Sequence, residues 1–106
     1  MIPLKTIEEL ISKHSILEKE LSSGEVDKKL FAEKSKEYSD LNDVIDDARK
    51  YFSYKEEKKD LEKILEDTSS DSEFKDMAEV ELKDLKSENE TIEKKLKLFL
   101  LPKDEA

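Results

Sequence analysis

The chain has 106 residues, of which 46% are charged and 35% hydrophobic, and its net charge is −9. One domain is the natural expectation at this length, and so few apolar residues would not fill both faces of a sheet. The acidity repels phosphate backbones, so direct nucleic-acid binding is not expected. Arg49 is the sole arginine, and arginine is the preferred residue for bidentate phosphate recognition. A basic protein partner is the easier expectation, although solubility explains the charge equally well.

There is no cysteine, so neither a disulfide framework nor a thiolate metal site can form. The opening Met1-Ile2-Pro3-Leu4-Lys5 lacks the apolar core of a signal peptide. No window approaches the roughly 18 apolar residues of a membrane helix. A soluble, cytoplasmic chain is expected. Disorder competes at this composition, but the order of the apolar residues argues against it.

The first helix is predicted over about residues 6–22. Thr6 and Glu9 have capping-box spacing. Ile7, Leu10, Ile11, His14, Leu17 and Leu21 then recur at steps of three and four, which makes one amphipathic stripe. Ser22-Ser23-Gly24 ends it, with Gly24 suited to a left-handed C-cap.

The second helix is predicted over about residues 28–66, after Asp27 as N-cap. Leu30, Phe31, Tyr38, Leu41, Ile45, Ala48 and Phe52 keep the helical step, widened by Val44 and Tyr51. Six charged residues run from Lys55 to Asp60 before the stripe resumes at Leu61, Ile64 and Leu65. Neither glycine nor proline interrupts it, so one helix about 57 Å long is expected, thinnest in packing at the charged run.

Asp67-Thr68-Ser69-Ser70-Asp71 is the clearest turn. Asp71 or Ser72 can cap a third helix, predicted over about residues 72–100. Ala78, Leu82, Leu85, Asn89, Ile92, Leu96 and Phe99 alternate steps of four and three, a heptad seam that Phe74 and Met77 begin. Asn89 interrupts it, either as a register-fixing polar residue or at a frayed edge. Pro102 should stop the helix.

The expected fold is all-α with three helices. A long antiparallel hairpin, coiled-coil-like along its outer part, carries a short N-terminal helix packed against one end. Weak self-association along the exposed seam is conceivable.

Chemistry is scarce. His14, the lone histidine, lies on an apolar stripe and reads as a packing or boundary residue. Asp43, Asp46 and Asp47 could approach a divalent cation, yet a rigid helix does not wrap one, and a solvated acidic face is the simpler reading. Gly24 is the only glycine, so there is no phosphate-binding loop. Tyr38, Tyr51, Phe52 and Tyr54 could stack bases, but an acidic chain supplies no positive groove and they read as core and rim. Lys28-Lys29, Lys58-Lys59 and Lys94-Lys95 alternate with acids as solvated faces. No catalytic, cofactor-binding or metal-binding residue is expected, no cofactor is implied, and the partner-binding residues are unknown.

Three stretches carry a resemblance. Ser35-Lys36-Glu37-Tyr38-Ser39-Asp40-Leu41 with Val44-Ile45 resembles a signature of bacterial class I peptide chain release factors. There a Ser-x-Glu-Tyr-x-x-Leu run precedes a hydrophobic pair and a tyrosine. Asp71-Ser72-Glu73-Phe74-Lys75-Asp76-Met77-Ala78 through Glu81-Leu82 resembles the family's turn into its third helix. Leu100-Leu101-Pro102-Lys103-Asp104 resembles the segment leaving its first domain. That last run favours the branch that reads UAA and UAG. Many members continue with Pro-Asn-Asp, whereas Glu105-Ala106 follows here.

The resemblance implies an N-terminal fragment, residues 1–106 as a single helical domain, of a longer translation termination factor. The family's stop-codon-reading tripeptide and its Gly-Gly-Gln motif would lie in the part that follows. It also implies a ribosomal partner near the stalk base and a recycling GTPase. A free-standing coiled-coil adaptor or chaperone-like protein is the alternative.

Overall fold

The structure, a computed structural model, describes residues 1–69 and 71–102. Four helices follow one another: α1 (Leu4–Ser23), α2 (Lys28–Asn42), α3 (Ile45–Glu66) and α4 (Ser72–Leu100). The all-α class agrees with the sequence reading. The expected count of three does not, because the long second helix is broken at Asp43 and Val44.

The helix ends show how local chemistry sets the elements. Gly24 takes φ 72°, the left-handed conformation that closes α1. The Asp27 carboxylate accepts from the Lys29 amide at 3.2 Å and starts α2. Asp71 accepts from the Glu73 amide and starts α4, so it takes the cap that Ser72 might have held. Leu101 is extended, with φ −64° and ψ 143°, and α4 stops one residue before it.

At the start of α1 the expectation fails. The helix begins at Leu4 with Pro3 as its cap, and Thr6 forms no capping box. Pro3 has its φ preset near the required value and lacks an amide to satisfy. Its carbonyl accepts from the amides of Thr6 at 3.1 Å and Ile7 at 3.3 Å. Thr6 is thus already inside the first turn.

The break between α2 and α3 is a tight turn. Val44 has φ −117° and ψ 0°. Its amide reaches back three residues to the Leu41 carbonyl at 3.0 Å, and its own carbonyl accepts from Ala48 at 2.8 Å, opening α3. Asn42 and Asp43 are residues whose side chains compete with helical hydrogen bonds. Tertiary contacts then favour the turn. The end of α2 is held to α1 through His14, whereas Ile45, Ala48 and Tyr51 of α3 are buried, the last two in the main core. A break lets each segment meet its own partner.

That core joins Ile2, Ile7, Ala48, Tyr51, Ile92 and Leu96, with Leu10, Ile11 and Val44 packed against it. It lies where the first half of α1, the first half of α3 and the second half of α4 converge. At this end α1 packs on α3 and α3 on α4, with α2 laid along the second half of α1. Beyond it, α3 and α4 continue as an antiparallel pair. There Ala78 and Leu82 are buried, but α3 buries nothing after Tyr51. From Lys55 to Asp60 only Lys58 is even half-buried, in keeping with the thin packing expected of the charged run. The molecule is accordingly elongated, 61 × 35 × 19 Å.

Candidate interaction surfaces

His14 sits at the joint between the two hairpins. It is 4% exposed and faces α2, where its ring stacks on Tyr38 with centroids 4.8 Å apart and planes 24° apart. Nε2 lies 3.1 Å from the Asn42 amide oxygen. Nδ1 is buried with no hydrogen-bond partner. The residue clamps α1 onto the end of α2, as a packing and boundary residue would.

The acidic cluster is spread along the backbone rather than focused. Asp43 follows the last residue of α2, while Asp46 and Asp47 occupy the first turn of α3, where negative charge complements the helix dipole. Asp46 lies 3.9 Å from Arg49. Among the described residues, no three His, Cys, Asp or Glu side chains converge as metal ligands would.

Of the four aromatics, Tyr51 and Tyr54 line one pocket with Lys55 and Lys58, while Tyr38 and Phe52 lie elsewhere. Tyr38 packs on His14. Tyr51 is buried and its hydroxyl accepts from the Ile2 amide at 3.0 Å. Tyr54 lines a groove with Lys50, Glu88 and Asn89, and Phe52 points outward. They form no common stacking face. Asn89 is half-buried in the seam between Leu85 and Ile92, with its amide oxygen shielded and unbonded. Its place in the seam excludes the frayed-edge reading.

Ion pairs tie the elements together at the surface. Lys13 meets Glu37 at 2.5 Å, and Lys34 pairs with Glu20, both between α1 and α2. Lys50 meets Glu88 at 3.1 Å across α3 and α4, and this bond holds the Lys50 ammonium above its ordinary pKa. The Met1 ammonium lies 3.0 Å from Glu93, and hydrogen bonding to it lowers the Glu93 pKa, with Lys97 adding to the effect. Exposed pairs of this kind contribute little each. They orient the helices more than they stabilise them.

Two exposed surfaces on the α3–α4 hairpin stand out. The outer half of the hairpin, residues 56–86, carries twelve acids against six lysines, a net −6 of the chain's −9. Within that field Phe74, Met77 and Val80 are exposed along one side of α4. The second surface is at the other end of the same helix, where Leu98, Leu100 and Leu101 are exposed. Both have the makings of docking surfaces.

The PCRF domain family matches residues 10–106. The chain belongs to that family. This PCRF domain is 91% identical over all 106 residues to peptide chain release factor 1 of Pelagibacter ubique, covering 30% of that protein. It is 40% identical over 103 residues, 95% of this chain and 28% of the other, to peptide chain release factor 1 of Bacillus subtilis. Against the protein of the same name from Orientia tsutsugamushi strain Boryong it is 37% identical over 98 residues, 92% of this chain and 27% of that one. It thus spans less than a third of the length of these curated relatives. No solved structure matches it.

The resemblance first carried by three motifs therefore extends over the whole chain. In the PCRF domain those motifs have distinct settings. Ser35–Leu41 lies on α2, where Glu37 and Tyr38 meet α1, and Val44 lies in the break with Ile45 opening α3. Asp71–Leu82 caps and opens α4. Leu100–Pro102 ends it, and Lys103-Asp104 fall outside the described residues.

Proposed function

We propose that this PCRF domain is the N-terminal interaction arm of a translation termination factor, and that the whole factor directs release at UAA and UAG codons in the cytoplasm. The observation that carries this is the 91% identity to a release factor 1 over the full chain, which fills only 30% of that relative. Residues 1–106 act as one domain. In this reading no residue of the segment is catalytic or binds a cofactor or metal; codon reading and the Gly-Gly-Gln chemistry reside in the part that follows.

The fold supports an arm. The body-proximal end has the core, and the outer hairpin extends away from it with acidic side chains and an unburied Phe74–Met77–Val80 side. A basic ribosomal protein near the stalk base suits that end electrostatically, and the recycling GTPase is the second expected partner. Charge steers such encounters and sets their salt dependence.

Reading the native gene past the codon for Ala106 tests the proposal. The expected result is an in-frame continuation that contains Gly-Gly-Gln and a factor that hydrolyses peptidyl-tRNA on ribosomes at UAA and UAG. A stop codon at that point, or a continuation without the motif, would refute it and favour a coiled-coil adaptor.

A further inference from the structure

Among the described residues, the leucines at the end of α4 remain largely exposed. Leu98, on the last turn of α4, is 70% exposed, and Leu101, just past the helix end, is 59% exposed. With half-buried Phe99, and with Pro102, Asp40 and Asp43, they line a shallow groove of about 380 Å³ between the α2–α3 joint and the end of α4. Its floor is apolar and its α2 side acidic. Large exposed side chains scattered singly need no explanation, but leucines gathered along one groove do.

The position of the groove indicates what covers it. The chain turns extended at Leu101 and cannot continue as helix through Pro102, so it leaves α4 beside these leucines. A segment that follows closely is tethered to the groove, and a tether gives an effective concentration in the millimolar range for short links. A patch too small to retain a free protein can retain a tethered one. The other apolar side, at Phe74, Met77 and Val80, is out of reach of a short tether. It lies at the far end of a helix about 43 Å long.

We propose that the groove formed by Leu98, Phe99, Leu101 and Pro102 is the seat of the polypeptide that continues beyond residue 106, through a segment of apolar side chains with a lysine or arginine facing Asp43. The proposal rests on the reading of this domain as the leading part of a longer factor. Docking there fixes the angle at which the arm leaves the body. It makes the arm a directed element and not a freely swinging one.

The test uses the full-length factor. Leu98→p-benzoylphenylalanine is irradiated and the cross-link mapped by mass spectrometry. In parallel, Leu98→Glu and Leu98→Met are compared for the rate of limited proteolysis just beyond residue 106. The expected cross-link is intramolecular, to a residue past 106. Leu98→Glu should speed cleavage roughly tenfold or more, while Leu98→Met should not. Because Leu98 lies outside the core, the domain's own helicity should be unchanged in both. A cross-linked dimer would overturn the proposal in favour of a second copy, and so would an unlinked chain with unaltered proteolysis. If the gene does not continue, the functional reading fails first; if it continues but the cross-link is absent, only the docking fails.

Discussion

Leu96 and Leu98 differ by two positions on one helix and by nearly everything in environment. Leu96 is 0% exposed at the convergence of α1, α3 and α4, while Leu98 is 70% exposed. Truncating Leu96 to alanine removes buried methyl groups and leaves a cavity, at a cost of about 2–5 kcal/mol. The same change at Leu98 should stay within about 0.5 kcal/mol. A domain of this size has roughly 5–15 kcal/mol of net stability, so Leu96→Ala removes a large share of it. Urea unfolding followed by helical circular dichroism reads the difference directly. With a slope of about 1–3 kcal/mol per molar urea, the Leu96→Ala midpoint should fall by about 1 M or more, and that of Leu98→Ala should barely move. Equal shifts for the two variants would mean that the seam of α4 is not where the helices meet. The assignment of core and docking surface would then be wrong together.

Other consequences follow from particular contacts. Tyr51→Phe deletes the acceptor for the buried Ile2 amide and should cost about 1 kcal/mol, with faster hydrogen exchange at that amide as its local sign; unchanged exchange would remove the N-terminal anchor from the account. Gly24→Ala puts a side chain at φ 72° with no atom within 4 Å to clash with, so its cost is conformational alone, about 1 kcal/mol in a thermal melt. Glu93 has a lowered folded pKa, so its stabilising effect is present above the ordinary carboxylate value and is lost as pH falls through the folded one. Urea midpoints of the native chain and Glu93→Gln should therefore converge as the solution is acidified through the carboxylate range. A constant gap would show that the Met1 pair adds nothing.

Much of this architecture is local chemistry. Gly24, Asp27, Asp71 and Pro102 punctuate the chain because each acts within a few residues, through a left-handed backbone, an amide-capping carboxylate or a missing N–H. The spacing of Ala78, Leu82, Ile92 and Leu96 marks one face of a helix whatever that face meets. The charged run from Lys55 to Asp60 leaves little to bury, so thin packing there also follows without a structure. The family was legible from short runs such as Ser35–Leu41 and Asp71–Leu82, whose residues and spacing resemble its signatures.

Other features belong to the tertiary structure. The break at Asp43 and Val44 carries neither glycine nor proline, and helix periodicity runs straight through it. Asn42 and Asp43 weaken the helix locally, but α2 and α3 also answer to different neighbours, which no window of sequence contains. Ile2, just ahead of α1, is anchored by Tyr51, 49 residues away, a contact that no local pattern announces. His14 could be placed on an apolar stripe from sequence, but its stacking on Tyr38 and its bond to Asn42 required α1 and α2 to be brought side by side. Asn89 likewise kept two readings until the seam closed around it. The sequence by itself determined where helices are favoured and which face of each is apolar, because those preferences are short-range. Only the tertiary structure decided which faces met and where a favoured helix had to yield, because that choice depends on burial shared between distant segments.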